Sequence, residues 1–260
     1  MEIKKTRIIT FSPCGGTLKA AKAIAEGMEA ESLVEDLTRP GRRPKSLTCG
    51  PNELAVIAFP VYGGYLPAGI SAELFNLMTA QNTPAVLVAV YGNREFEGAF
   101  LDLAQLATAR GFKPVAAAAA VAEHSMNPEI APGRPDQADL GLLADFGRRI
   151  AERLAAQPDL EAFDFQVPGA YPNRPKGGAP LKPVADQEVC VSCGECVEPC
   201  PMSAIPEDEP YLTGEACIGC MACVKVCPVE ARALSDPALG EKMAWLKSVT
   251  KERKEPLFFF

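Results

Sequence analysis

Two copies of one cysteine spacing constrain this chain more than any other feature of its sequence. They span residues 190–201 and 217–228, and both read C-x2-C-x2-C-x3-C-P. Such a run curls around one cubane, so that three thiolates bind one 4Fe-4S cluster and the fourth binds the other. The spacing therefore predicts two clusters with crossed ligands. The predicted sets are Cys190, Cys193, Cys196 and Cys227 for one cluster, and Cys217, Cys220, Cys223 and Cys200 for the other.

Two other uses of cysteine explain the pattern less well. Disulfide bonds require an oxidising compartment, and the first residues lead into a strand-like segment rather than a signal sequence. A zinc ribbon needs paired C-x2-C knuckles but has no use for a third Cys or for the repeated Cys-Pro ending. At these residues the chain resembles the bacterial two-cluster ferredoxins, and the resemblance covers about residues 184–236.

The negative charge is concentrated in this same segment. The chain of 260 residues has a formal net charge of -7, while residues 184–236 hold ten Asp or Glu and only two Lys or Arg. An acidic face around clusters is suited to docking a basic redox partner protein, although solubility explains it nearly as well. No basic stretch predicts nucleic-acid binding, and no apolar run reaches the length of a membrane span. We expect a cytoplasmic location.

Before the cluster segment, short apolar runs alternate with helical patterns. Strands are predicted at 7–11, 32–37, 53–59, 85–91 and 114–122, and helices near 18–28, 68–78, 96–106 and 140–154. This alternation predicts a parallel sheet covered by helices on both faces. Five strands in about 150 residues fit the flavodoxin-like order 2-1-3-4-5. We therefore predict an α/β doubly wound domain over residues 1–156.

Three segments complete the predicted organisation. Residues 157–183 are rich in Pro and lack periodicity, which predicts an extended connector whose aromatic side chains lie against the protein. Residues 184–236 form the α+β ferredoxin domain. Residues 237–260 combine an amphipathic helix with an aromatic tail. We expect Phe258, Phe259 and Phe260 to pack on the body rather than on a partner, because exposing three rings to water is unfavourable.

The loop after the first predicted strand has the composition of an anion site. Ser12-Pro-Cys-Gly-Gly-Thr17 offers hydroxyls at both ends and glycines that let the backbone close around a phosphate. A Walker A loop would need G-x4-G-K-[ST], and a low-molecular-weight phosphatase would need an Arg where Ala20 stands. We interpret Cys14 as replacing a threonine hydroxyl in this loop.

Two more loops, at 59–67 and 91–96, follow the third and fourth predicted strands. With them, residues 5–155 resemble the flavodoxin superfamily, and the whole chain resembles the flavodoxin–ferredoxin fusion family. The resemblance implies a bound FMN. The residues implied at its phosphate are Ser12, Pro13, Cys14, Gly15, Gly16 and Thr17. Those implied at its isoalloxazine ring are Pro60, Val61, Tyr62, Gly63, Gly64, Tyr65, Gly92, Asn93 and Arg94.

Two side chains near the implied ring are weak candidates for a catalytic role. A cation at Arg94 would raise the two-electron potential of a flavin, but a surface Arg at a turn explains the residue equally well. His124, the only histidine, follows the fifth predicted strand and could deliver a proton. A lone His in a loop is more often a structural hydrogen-bonding residue. Cys49 is assigned no role, and Arg42 and Arg43 are interpreted as solvated surface.

Together these features predict electron transfer between two clusters and a flavin. The preferred interpretation is a ferredoxin-linked flavin oxidoreductase with a redox partner protein and a small-molecule substrate as acceptor. The alternative is a non-catalytic carrier that passes electrons between partner proteins. A flavin edge in a pocket with placed polar groups would favour the enzyme, and an exposed edge without a pocket would favour the carrier. No G-x-G-x-x-G run marks a nicotinamide site.

Overall fold

A computed structural model describes residues 3–157, 159–173, 181–235 and 239–260. The predicted domain boundary at residues 236 and 237 and the middle of the predicted connector, 174–180, lie outside the described residues. The strands are β1 (Lys5–Thr10), β2 (Glu31–Asp36), β3 (Leu47–Cys49), β4 (Glu53–Pro60), β5 (Met78–Ala80), β6 (Thr83–Tyr91), β7 (Phe112–Val121), β8 (Val184–Ala185), β9 (Arg232–Ala233) and β10 (Leu257–Phe259). The helices are α1 (Gly16–Gly27), α2 (Ser71–Phe75), α3 (Ala99–Thr108), α4 (Gln137–Ala156), α5 (Ala222–Lys225) and α6 (Leu239–Val249).

The main sheet has the strand order that the sequence predicts. Neighbouring strands β2, β1, β4, β6 and β7 are parallel and reproduce the flavodoxin-like order 2-1-3-4-5. All nine residues of β6 are buried, as is typical of a central strand covered on both faces. One face packs on α1 and α4, and the other on α2 and α3.

Two glycines allow α1 and α4 to approach closely. A Cβ added at Gly27 would lie 1.9 Å from the carbonyl oxygen of Ala144, and one added at Gly147 would lie 2.0 Å from that of Ile24. Both separations are far below van der Waals contact, so any side chain at these positions would force the two helices apart. The spacing of this helix pair therefore depends on the two glycines.

A sixth strand, β10, was not predicted. It pairs antiparallel with β7 through Leu257, Phe258 and Phe259. Phe258 stacks on Phe146 with 4.6 Å between ring centroids. The expectation that the three aromatic side chains pack on the body is confirmed.

The predicted helix at 68–78 is wrong in its second half. Helix α2 ends at Phe75, and residues 78–80 form β5, which pairs in parallel with β3 in a small second sheet. The amide of Ala80 donates to the carbonyl of Arg110, so backbone hydrogen bonds there go to neighbouring segments instead of continuing the helix.

The described parts of the connector lie against the sheet domain, as expected. Phe163 is buried. Tyr171 stacks on Tyr65 at 5.7 Å, and its hydroxyl donates to Asp102 at 3.2 Å. In the described part of the chain, no helix has the length and apolar character needed to cross a membrane.

The cluster segment is a small α+β unit that docks on the sheet domain. Strands β8 and β9 pair antiparallel, and α5 is a single turn. The Arg43 guanidinium donates to the Pro201 carbonyl at 2.6 Å, and Arg42 pairs with Glu198 at 3.2 Å. Arg43 also donates to the Leu37 carbonyl, which fixes its direction. The interpretation as solvated surface is therefore wrong for Arg43, whose side chain is largely buried against the cluster segment, whereas Arg42 remains exposed while it pairs with Glu198.

Candidate functional site

A cleft of about 760 Å³ lies at the carboxyl ends of the parallel strands. Its volume is in the range of about 300–1,000 Å³ that small-molecule sites occupy. The loops after β1, β4, β6 and β7 form one wall, and the cluster segment together with the start of α6 forms the other. From the sheet domain the lining includes Pro13, Cys14, Gly15, Gly16, Thr17, Pro60, Val61, Tyr62, Gly92 and His124; from the later segments it includes Met221, Val224, Lys225, Leu234 and Leu239.

One end of the cleft is built from the start of α1. Gly15 has φ of +88°, which turns the loop into the helix without the strain that a side chain would add. The Ser12 hydroxyl accepts the amide of Leu18 at 2.9 Å, and the carbonyl of Gly15 accepts that of Lys19. Among the described residues the amides of Gly16 and Thr17 have no such partner, and free first-turn amides favour an anion.

Two lysines add positive charge at this end. Lys225 lines the cleft and donates to the Cys14 carbonyl at 3.1 Å, and Lys19 lines the cleft and donates to the Pro135 carbonyl at 2.6 Å. Lys225 belongs to α5 in the cluster segment, so both parts of the chain contribute positive charge or amides to this end of the cleft. Sequence reasoning missed Lys225, since nothing local to it signals contact with a loop 211 residues earlier.

Cys14 does not present its thiol as a threonine hydroxyl would. Its Sγ donates to the carbonyl of Cys220 at 3.1 Å, across the boundary between the two parts. Burial raises the pKa of this thiol to about 11. Cys14 thus lines the cleft while its side chain is held by the cluster segment, which differs from the interpretation as a phosphate-binding side chain.

The loop after β4 places one aromatic side chain between the cleft and the second cysteine run. Tyr62 lines the cleft and is half-buried. Burial and the neighbouring thiols of Cys220, Cys14 and Cys217 raise the pKa of the Tyr62 hydroxyl well above its usual value. Gly63, Gly64 and Tyr65 lie outside the lining, and Tyr65 stacks on Tyr171 instead.

Asn93 and Arg94 serve other contacts. The buried Asn93 amide donates to the carbonyls of Thr250 and Glu252, which fixes the segment between α6 and β10. Arg94 forms an ion pair with Glu97 at 2.7 Å. Neither residue lines the cleft, although Gly92 does. The Arg94–Glu97 pair is visible in the sequence as an i,i+3 spacing, but the partners of Asn93 are not, because they lie more than 150 residues later.

His124 lines the cleft with its ring in one defined state. The Nδ1 atom accepts the amide of Met126 at 3.2 Å, which leaves the proton of the neutral ring on Nε2. Burial, and then the charges of Arg94 and Lys242, lower the pKa of His124 to about 4. At neutral pH the ring is therefore an uncharged hydrogen-bond donor.

The eight clustered cysteines line two small cavities, four to each. Cys190, Cys193, Cys196 and Cys227 line one, here called the outer cavity. Cys200, Cys217, Cys220 and Cys223 line the other, here called the inner cavity. Each cavity thus takes three thiols from one run and one from the other, which is the grouping that the spacing predicts.

The donors in these cavities fit iron–sulfur clusters. Two thiols of the inner cavity accept backbone hydrogen bonds: the amide of Ala204 donates to Cys200 at 3.2 Å, and the amide of Gly219 donates to Cys217 at 3.4 Å. Hydrogen bonds of this kind tune the reduction potential of a cluster. Across the described ranges, no three His, Cys, Asp or Glu side chains converge on a single metal ion. The thiols of each set instead surround a space.

The cleft and the inner cavity share a wall. Met221 lines both, and its backbone has a left-handed φ of +67°. The inner cavity is therefore separated from the cleft by the thickness of one residue. The outer cavity shares no lining residue with the cleft, and Cys193 there is exposed.

Comparisons with known proteins agree with this division of the chain. Residues 182–228 match the family model of the 4Fe-4S dicluster domain. No curated protein matches the chain.

Solved structures resemble the sheet domain only weakly. Rubredoxin oxygen:oxidoreductase from Desulfovibrio gigas is 16% identical with a TM-score of 0.40, and the match covers 60% of this chain and 37% of that one. A flavodoxin from Streptococcus pneumonia TIGR4 is 16% identical with a TM-score of 0.39, covering 57% and 99%. The chain thus spans little more than a third of the Desulfovibrio protein. By its strand order and its cysteine-rich segment, the chain is a fusion of a flavodoxin-like domain with an iron–sulfur domain of the 4Fe-4S type.

Proposed function

We propose that the protein transfers electrons between two 4Fe-4S clusters, one in each thiol-lined cavity, and an FMN in the cleft. In this proposal it is a ferredoxin-linked flavin oxidoreductase. The supporting observation is that Met221 lines both the cleft and the inner cavity, which would bring a cluster and a flavin within one residue of each other. Bound clusters supply single electrons, and a bound flavin holds one or two.

The chain's own groups at the start of α1 would hold the flavin phosphate. The free amides of Gly16 and Thr17 offer hydrogen bonds and Lys225 offers charge, while the Ser12 hydroxyl accepts the Leu18 amide and so holds the first turn in place. Because Lys225 lies in the cluster segment, docking of that segment and binding of the phosphate would support each other. Tyr62 and Met221 would then cover the side of the ring that faces the inner cavity.

The outer cavity is the proposed entry point for electrons from a redox partner protein. Cys193 is exposed, and Val191 beside it is 63% exposed. Glu195 lines this cavity and the segment as a whole is acidic, which favours a basic partner. The Pro201 edge of the segment is covered by Arg43, so this second edge is closed to a partner.

Polar groups in the cleft favour an enzyme over a pure carrier. His124 presents an Nε2 proton, and Arg134, held by buried Asp139, lines the same wall. A carrier would require only an exposed flavin edge, whereas here the cleft is walled by both parts of the chain. His124 would donate a hydrogen bond to a bound acceptor or to the ring without giving up its proton near neutral pH.

The test begins with protein purified without oxygen. The proposal expects about eight iron and eight sulfide per chain, with one FMN. Four iron, zinc in place of iron, or no flavin would contradict it. The reduced protein is then mixed with small-molecule acceptors and, separately, with basic redox proteins. Reoxidation of the flavin by a small molecule supports the enzyme, and reoxidation by proteins alone supports the carrier.

A further inference from the structure

Arg232 is a buried cation among the cysteines. It stands five residues after Cys227, and the matching position of the first copy, five residues after Cys200, is Ile205. Ile205 is buried against Cys196 and Cys223, as an aliphatic side chain should be. Arg232 is only 3% exposed. One copy of the repeat therefore carries a guanidinium where the other carries a hydrocarbon.

The guanidinium ends are held by neutral acceptors. Nη1 donates to the Thr213 hydroxyl at 2.8 Å, and Nη2 donates to the carbonyls of Leu212, at 2.7 Å, and Pro210. Within the described ranges no carboxylate pairs with it. A buried charge without a counter-ion is unfavourable unless something else compensates it. The described residues supply hydrogen bonds to Arg232 but no negative charge.

The remaining donor belongs to a side chain that lines a thiol-lined space. The Nε atom of Arg232 is buried and has no hydrogen-bond partner among the described residues. Arg232 lines the outer cavity, and its backbone amide donates to Cys227 there. Cys223 of the inner set also lies within reach of its charge. A negatively charged group in the outer cavity would satisfy both the free N–H and the missing counter-charge.

We propose that Arg232 donates its Nε–H to the cluster in the outer cavity and that its charge raises the reduction potential of that cluster. This inference rests on the proposed function, because it requires a cluster in that cavity. Gaining one electron makes the cluster more negative, and a nearby cation stabilises the reduced form more than the oxidised form. Hydrogen bonds to cluster sulfur act in the same direction.

The test is a potentiometric titration of the anaerobic holoprotein, with dithionite as the reductant and electron paramagnetic resonance as the readout. In Arg232→Gln, the ratio of reduced to oxidised outer cluster at a fixed potential should fall about tenfold, which corresponds to about 59 mV for one electron. Arg232→Ile, which copies the first repeat, should give at least the same shift. As a control, Lys182→Gln removes a cation that lies near Cys217 of the inner set and is paired with exposed Glu215. This control should change the ratio less than about twofold, since solvent screens that charge.

The outcomes separate the two proposals. Wild-type protein without clusters contradicts the proposed function itself. Clusters that titrate alike in wild type, Arg232→Gln and Arg232→Ile overturn the role of Arg232 and leave the function intact. A third variant, Arg232→Lys, keeps the charge but lacks Nε. If it alone keeps its iron, a lower ratio of reduced to oxidised outer cluster than in wild type supports the Nε hydrogen bond, and an unchanged ratio overturns the role of that hydrogen bond. Loss of iron from all three variants would assign Arg232 to folding alone and would also overturn the inference.

Discussion

The two cysteine runs have one spacing but occupy different surroundings. Cys193, the second cysteine of the first run, is exposed, whereas Cys220, its counterpart in the second run, is 7% exposed. The carbonyl of Cys220 accepts the Cys14 thiol of the sheet domain, and Met221 beside it lines the cleft. The first run instead contacts the sheet domain through its end, where Glu198 and Pro201 meet the arginines near residue 42.

This difference shows how two copies of one motif can have different roles: one cavity faces the cleft and the other faces solvent. Two equivalent cavities would pass electrons either way with no preferred outlet. Covering one run with the sheet domain turns the inner cavity toward the cleft and leaves the outer cavity to solvent. Docking of the cluster segment, rather than the cysteine pattern itself, distinguishes the two.

The largest expected effect comes from removing one predicted cluster ligand from each cavity in turn. Cys220→Ala and Cys193→Ala should each lose about four iron, since each removes a ligand of one cubane. In Cys220→Ala dithionite should still reduce the outer cluster, while the flavin should be reduced more slowly than in Cys193→Ala. In Cys193→Ala, flavin reduction by dithionite should persist. Iron analysis and anaerobic stopped-flow absorbance measure both, and equal flavin reduction in the two variants would contradict the inner–outer order.

The next effect concerns β10, the strand that pairs with β7 at the edge of the main sheet. Phe258→Ala removes the ring stacked on Phe146, and we expect the free energy of unfolding to fall by about 2–4 kcal/mol, because the ring is only partly buried. Thermal and urea unfolding measure this change. The matched control is Leu257→Ala, whose side chain is largely exposed, and we expect a change below about 1 kcal/mol there.

A smaller effect is expected where the first run meets the sheet domain. Arg43→Ala removes hydrogen bonds to the carbonyls of Pro201 and Leu37. We expect the free energy of unfolding to fall by about 1.5–3 kcal/mol. Limited proteolysis should then release the cluster segment more readily. The exposed Arg42 is the control, since its ion pair with Glu198 should contribute less than about 1 kcal/mol. Equal sensitivity of the two variants would show that the contact depends on net charge rather than on Arg43.

The smallest effect is a pH dependence from His124. Its pKa of about 4 in the folded protein lies below the ordinary value of about 6.5 in an unfolded chain. The unfolded state therefore binds more protons between these values, so stability is full above pH 6.5 and declines as the pH falls toward 4. Because the ring is only partly buried and solvent screens part of this shift, we expect a loss on the order of 1–2 kcal/mol. His124→Asn should reduce this decline. Urea titrations at pH 4.5 and 7 measure the free energy of unfolding, and an equal difference between the two pH values in wild type and variant would exclude the contribution of His124.

The sheet could be predicted because its signals are local. β6 is a continuous apolar run, and α1 and α4 show helical spacing, so strand order follows from the usual rules of parallel sheets. The prediction of a helix to residue 78 failed because residues 78–80 form backbone hydrogen bonds with distant segments, β3 and the turn at Arg110. β10 was missed because three aromatics near residue 258 have the same composition whether they form a strand or pack as a coil.

The candidate site was predictable only where one segment builds it. The loop at Ser12 and the cysteine groupings follow from spacing within a few residues. Lys225, Arg43 and Arg232 act across the boundary between segments or inside the repeat, where only the folded chain brings their partners together. Cys14 was placed in the right loop, but its thiol direction depends on the carbonyl of Cys220, which no local pattern reveals.

The pairing of β10 with β7 has a consequence for the behaviour of this protein in concentrated solution. The residues of β7 that β10 covers are alanines, from Ala117 to Ala119, on a fully buried run. Without β10 this edge would be flat, apolar and unpaired, which is the kind of edge that recruits strands from other molecules. By pairing with this edge, the three residues of β10 protect the protein from self-association. A variant that loses them should aggregate even when its clusters and cleft are intact.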